Sequence, residues 1–308
     1  MVRILITLLL ISNLVLSIEM IGSRHWNNSP NSSALGLAIT AQTNHPDALF
    51  FNPAGLSTNK KSSINISHSS FFQTDFSTFS LIGKFNDVSI GIGAHMSQSG
   101  QIEKTTYNEE TKTIYSNGTY NYGYYTLYLG AAIQIPYLEW GFIGANMNIH
   151  QISIDQDSLK GDSISIGTLF TPFSFLSIGY RHSQILPLIM TWYGQDKINS
   201  RSLSPSHTVK QQSAIGLNIK LPTIAGTKVT LMSDYIVIDD NNKESASLRL
   251  GTQLEFKTIT LNMGYNDLYL SSGIKINLNQ LSFNYSINIP NQTKNLSNRH
   301  GFGINYSF

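Results

Sequence analysis

From Ser247 to the end of the chain, apolar and polar side chains trade places at almost every step. Leu248, Leu250, Leu254 and Phe256 share one parity, while Ser247, Arg249, Gly251, Gln253 and Glu255 share the other. Successive side chains of an extended chain point to opposite faces, so the pattern predicts a strand with one apolar and one polar face. The same alternation places Ile259, Leu261, Met263 and Tyr265 on one face, then Leu268, Leu270, Ile274 and Ile276. Two further sets follow: Leu281, Phe283, Tyr285, Ile287 and Ile289, and finally Phe302, Ile304, Tyr306 and Phe308. Extended towards the amino terminus, the rule predicts strands near 227–238, 211–221, 175–184, 161–170, 139–154, 120–135, 88–97, 76–85 and 62–72. The total is about fourteen, with a bulge expected in 139–154, where alternation is poor.

A soluble sandwich would alternate too. The residues on the polar faces decide between the two: they are Asn, Ser, Thr and Gly, where a face open to bulk water would carry Lys and Glu. Small polar side chains suit the inside of a closed barrel, with lipid on the apolar side. Composition agrees, since charged residues make up only 12% of the chain and aromatics 11%. Tyr265, Tyr285, Tyr306 and Phe308 lie towards strand ends, as interfacial girdles require. Connections also sort by parity. Asn86-Asp87, Pro136-Tyr137, Thr171–Ser174, Leu221–Gly226, Lys257 and Asn279 are short, whereas 98–119, 185–210 and 290–298 are the longest. The fold class expected is a single antiparallel transmembrane β-barrel of about fourteen strands, with short turns at the periplasmic end.

The chain begins with Arg3 followed by the mostly apolar run Ile4 to Leu16, which is short for a spanning helix and suits a signal peptide. Cleavage after Ser17 is expected, with an uncleaved anchor as the alternative. Export to a bacterial envelope is expected, and with the barrel the cell outer membrane.

A net charge of +2 offers no concentrated basic face for nucleic acid, and the absence of cysteine excludes disulfides, thiolate metal sites and cysteine nucleophiles. The eight histidines show no metal-ligand spacing, and each is read as a lumen, girdle or loop residue. A non-enzymatic protein without a cofactor is expected.

About forty residues before the first strand do not alternate, and they include "ALGLAITAQTNHPDALFFNPAGLS", Ala34–Ser57. Asn52-Pro53 is a helix-start signal, since Asn caps backbone N–H groups and Pro loses no needed donor at the first helical position. Gly55 is expected to take a positive φ as the chain turns towards the first strand. The Ala34-Leu35-Gly36 element, Asp47-Ala48 and Asn52-Pro53-Ala54-Gly55-Leu56, placed ahead of a fourteen-strand pattern, resemble the FadL superfamily of outer-membrane barrels. The ending from Leu248 to Ile287 is similar to the PorV/PorQ-like branch of that superfamily.

This resemblance implies an amino-terminal plug within the barrel, giving a signal peptide 1–17, a plug segment 18–61 and a barrel 62–308. By the same resemblance Asp47, Asn52, Pro53, Ala54 and Gly55 occupy the plug's turn near the wall and act as its gate. Phe308 matches the terminal aromatic read by the barrel-assembly machinery. The function implied is passage or binding of a hydrophobic, fatty-acid-like or lipid-like small molecule. The alternative is a component of type IX protein secretion that holds or shuttles cargo, and a third possibility is a structural, porin-like protein.

Lys84, Arg181, Lys220, Asp234, Arg249, Glu255 and Lys275 fall on polar parities. Charge at mid-bilayer on the lipid side costs about 2–4 kcal/mol, so they are expected in the lumen or at the rims. Arg181, Arg249, Glu255 and Lys275 are the lumen charges singled out, with Arg249 or Lys275 expected to pair with Asp47 or Glu255 and pin the plug. The stretch Ser183–Gln195 is unusually apolar for an outer loop. Its Leu186, Ile189, Met190 and Trp192 are candidate ligand contacts. A vestibule for a lipid-like molecule, a docking face for a protein, and the last turn of a strand reaching the outer girdle all fit it.

Overall fold

The computed structural model describes residues 29–71, 73–108, 110–155, 157–185, 188–193, 207–209, 211–223, 226–240, 243–291 and 297–308. The signal peptide expected at 1–17 lies outside the described residues, as does Leu186. Among the described residues the chain forms β1 (Ser63–Phe71), β2 (Thr74–Phe85), β3 (Val88–Ser99), β4 (Ile102–Asn108), β5 (Thr113–Tyr120) and β6 (Tyr122–Gln134). It continues as β7 (Gly141–Ile154), β8 (Asp157–Phe173), β9 (Leu176–Ser183), β10 (Leu188–Tyr193), β11 (His207–Val209) and β12 (Gln211–Lys220). The last strands are β13 (Lys228–Asp240), β14 (Lys243–Glu255), β15 (Ile259–Tyr265), β16 (Tyr269–Leu278), β17 (Leu281–Pro290) and β18 (Arg299–Ser307).

Fourteen of these close into one antiparallel ring, in the order β8-β7-β6-β3-β2-β1-β18-β17-β16-β15-β14-β13-β12-β9, with β9 returning to β8. First and last strands meet with Ser63 opposite Ser307, so the ring has no free edge to template further pairing. The loop at 98–119 folds into the hairpin β4–β5, and β10 and β11 extend the outer end of β8. The turns Asn86-Asp87 and Asn279-Gln280, and the connections at 135–140, 174–175, 221–227 and 256–258, lie at the opposite end.

Burial inverts the order of a soluble protein. Arg249 is 5% exposed while its neighbour Leu250 is 39% exposed, and Ser80, Asn146, Asn262 and Ser286 are buried on strands whose apolar residues face outwards. A water-soluble sandwich would bury the leucines; this sheet presents them to hydrocarbon. Phe85, Tyr137, Trp140, Phe173, Phe175, Phe256 and Phe308 ring the end with short turns, and Tyr125, Tyr180, Tyr235 and Tyr265 lie towards the other. Ile92, central on β3 and exposed, tests the bilayer assignment. Ile92→Lys should destabilise the folded barrel in lipid by about 2–4 kcal/mol, measured by urea titration in bilayers. An effect near zero would mean that this face is wet.

The bulge expected in 139–154 is not there. β7 pairs with β6 and β8 in unbroken register, and the shift falls instead between Phe170 and Phe173, where β8 meets β9. Alternation was obscured because Phe142 turns inward, onto Ala41, Ala54 and Leu169.

Candidate functional site

Residues 29–59 run through the inside of the ring and are almost entirely buried. Helix α1 (Pro30–Ser33) starts at Ser29, whose side chain accepts from the Ser32 N–H, and has Pro at its first position. It ends with the Leu37 N–H bonded to Ser32 O and the Gly36 N–H to Ser33 O, with Gly36 left-handed at φ 61°. This Schellman arrangement satisfies the last carbonyls and reverses the chain. Helix α2 (Ala48–Phe51) leads into a 3-10 helix, Pro53–Thr58, capped by the Asn52 side chain, which accepts from the Ala54 N–H at 3.2 Å. Gly55 does not adopt the positive φ expected of it. It sits inside the 3-10 helix, where an added Cβ would come within 3.0 Å of the Ala48 methyl.

Inward-facing glycines let the segment approach the wall. A Cβ at Gly264 would stand 2.0 Å from the Gly36 nitrogen, and one at Gly144 2.5 Å from the Pro53 carbonyl carbon. Asn52 Nδ2 donates to Thr40 O at 2.7 Å and to Thr168 O on β8 at 3.1 Å. Asn146 on β7 donates to Leu49 O, and Lys84 to Ser57 O. Asp234 on β13 accepts from both the N–H and the hydroxyl of Thr40, at 2.9 and 2.7 Å.

Asp47 is fully buried. Ser29 Oγ donates to one carboxylate oxygen and Asn65 Nδ2 to the other, while His45 Nδ1 lies 3.9 Å away and accepts from the Asp47 N–H. Burial pushes the Asp47 carboxyl up to about 6, against the hydrogen bonds that favour its ionised form. Burial, with the Lys275 charge behind it, holds His45 down at about 3. The Lys275 charge bears on both Asp47 and Glu255, while the hydrogen bonds to the Asp47 carboxylate come from Ser29 and Asn65, and Glu255, half-exposed at the end of β14, pairs with Lys228 at 3.0 Å. Asp234 adds a charged link from wall to segment, because the segment around Thr40 offers N–H and O–H donors.

Above α2 the lumen opens into a cavity of about 80 Å³. Its floor is Leu37, Phe50 and Phe51, and its wall includes His95, Tyr124, Tyr128, Asn146, Asn148, His150, Arg181, Gln184, Gln212 and Arg249. The Phe50 ring lies 4.0 Å from His95 and 4.9 Å, edge-on, from Tyr128. Arg181 Nη1 donates to Phe50 O and its Nη2 to Gln212 Oε1 at 2.9 Å.

Of the residues singled out in the sequence, Arg181 and Arg249 reach this cavity, Asp47 and Asn52–Gly55 lie in the segment beneath it, and Lys275 points inward on β16. Ile189, Met190 and Trp192 fall on β10, whose backbone alone is described, beside β8 and β11. Phe308 lies exposed at the lower rim, its N–H bonded to Ser62 O. Phe50, Phe51, His95, Asn146, His150 and Gln184 were not singled out. The polar parity of His95 and His150 was the available signal, and the Phe50-Phe51 pair stands out in a segment without alternation. Among the described residues no group of three or more His, Asp or Glu is placed to hold a metal ion.

No protein-family model and no curated protein sequence matches the chain. Solved structures do. The toluene transporter TodX of Pseudomonas putida superposes with a TM-score of 0.61 at 10% identity, over 91% of this chain and 98% of that one. The monoaromatic hydrocarbon channel CymD gives 0.61 at 10% identity, over 91% and 97%. Both neighbours are transport barrels rather than enzymes. At this identity the likeness speaks for the fold, and together with the lipid-facing exterior it makes the chain a closed fourteen-strand transmembrane β-barrel.

Proposed function

We propose that this barrel passes small hydrophobic molecules across the outer membrane, holding them over Phe50, with residues 29–59 serving as the plug. The observation that carries the reading is an aromatic-floored cavity inside a lipid-facing barrel, closed underneath by a segment hydrogen-bonded to the wall. Its volume of about 80 Å³ falls short of the roughly 150 Å³ of an apolar cavity that takes up benzene. A ring therefore enters only as Phe50 or the plug moves, and Asn52–Gly55, packed on β7 and β8, is the gate. Leu186, Ile189, Met190 and Trp192 are the proposed outer entry, and Phe308 the assembly signal.

The test is uptake of a small aromatic by intact cells of a strain lacking its own hydrocarbon channels. Expression of the chain should raise the initial rate several-fold. Phe50→Trp, which raises the floor into the cavity, should return it to background while the barrel remains folded. Equal uptake with and without the chain would end the proposal.

A second reading, cargo handling of the PorV/PorQ kind, is favoured by the β4–β5 hairpin, on which Tyr107, Ile114 and Tyr115 stand exposed. Secretion-machine proteins would then co-purify with the gently extracted barrel, and a Phe50→Trp variant would behave as wild type.

A further inference from the structure

We infer that the molecule held over Phe50 is a phenol-type ring, carrying a hydroxyl that donates and accepts, and not the bare hydrocarbon. The inference rests on the small-molecule reading above and narrows it to a ligand class. The cavity is wholly apolar only at its floor; side chains bearing polar groups, from seven strands and the Gln184 loop position, make up its wall.

Among the described residues, buried polar atoms of Gln184, Asn146, Asn148 and His95 in this wall have no hydrogen-bond partner. Gln184 is 1% exposed, and neither its amide nitrogen nor its amide oxygen has a hydrogen-bond partner. Asn146 spends its Nδ2 on the Leu49 carbonyl, which can only accept, so its Oδ1 is left as an acceptor without a donor. His95 is paired at Nδ1 with the Tyr128 hydroxyl, 3.2 Å away, and its Nε2 has no partner. Gln184 follows the end of β9 with a left-handed backbone at φ 63°, a conformation that turns its side chain off the strand's alternation.

A hydrocarbon would bury these groups dry, and each unmet donor or acceptor costs about tenfold in affinity or more. A carboxylate would supply acceptors only, leaving Asn146 Oδ1 and Gln184 Oε1 unanswered. A phenol hydroxyl supplies one donor, which answers one of those two oxygens, and lone pairs that accept from the Gln184 amide nitrogen. Its ring keeps the apolar contact with Leu37, Phe50 and Phe51.

Titration calorimetry of the full chain in detergent, blanked against empty micelles, should compare 4-methylphenol with toluene, two rings of nearly equal shape. 4-Methylphenol should bind at least about tenfold tighter, and Gln184→Met should bring the ratio to within about threefold. The wild-type ratio needs no variant. Toluene binding as tightly as 4-methylphenol would overturn this inference while leaving the hydrophobic-channel reading standing. No binding of either would remove both. A tenfold ratio that survives Gln184→Met would overturn the assignment to this cavity.

Discussion

A Gly264→Val barrel is expected to fold, insert and leak. The Cβ built at Gly264 would lie 2.0 Å from the Gly36 nitrogen and 2.2 Å from the Leu35 carbonyl carbon. From the other side, a Cβ on Gly36 would meet the backbone of Tyr265 and Leu250 at 2.5 and 2.7 Å. Backbone cannot swing aside as a flexible side chain does, so one of the two layers must move. The wall is the stronger layer, since β15 is laddered to β14 and β16 along its length. Here the segment is held by single hydrogen bonds, Gly36 N to Ser271 Oγ at 3.2 Å and Asn266 Nδ2 to Gly36 O at 3.3 Å. Overpacking typically costs about 1–3 kcal/mol, comparable to what those bonds contribute. The segment should therefore lift from its seat. Single-channel conductance in planar bilayers should rise several-fold, and residues 29–59 should become open to protease. Gly100→Ala, at the outer rim with only ordinary contacts, is the control. Wild-type conductance and protection in Gly264→Val would show that the seat is not this tight.

The second large effect concerns acid. Asp47 has a raised pKa when seated, about 6 against 3.8, so its contribution to seating is fully present below pH 3.8 and is lost as pH rises through 6. His45 has a lowered one, about 3 against 6.5, so its contribution is present above 6.5 and is lost as pH falls towards 3. At about 1.4 kcal/mol per pH unit, acidification from pH 7 to 4 strengthens the seat by about 2 kcal/mol through Asp47 and weakens it by about 3 through His45. The two act in opposite directions, so the wild-type seat should respond to acid less than either single variant. His45→Gln should expose the Asp47 effect and tighten the segment in acid, and Asp47→Asn should loosen it. Hydrogen exchange of residues 29–59 at pH 7, 5.5 and 4, corrected for intrinsic rates, measures both. Loosening of His45→Gln on acidification would remove Asp47 as the counterweight.

Residues such as Leu248, Leu250 and Leu254 declared their strand without help, because a period of two belongs to each strand by itself. All fourteen barrel strands were legible in this way, together with the inward placing of Arg181, Asp234 and Arg249. So was the Asn52-Pro53 helix start, which depends only on a side chain and the N–H two residues on. The inward turn of Phe142 broke the pattern locally and suggested a bulge where the ladder is regular.

What the alternation could not carry was distance along the chain. Thr40 and Asp234 are 194 positions apart, and Gly36 and Ser271 are 235 apart. Their meeting depends on the register of every strand between them and on closure of the ring. Hence the hydrogen bond from Asn65 to Asp47 was not foreseen, and Gln184, Asn146 and Phe50, which meet only across the lumen, left no joint trace. The local chemistry of the chain determined the strands and which of their faces meets lipid. Only the closed ring decided which inward groups face one another, because a barrel brings together side chains from strands that share no turn.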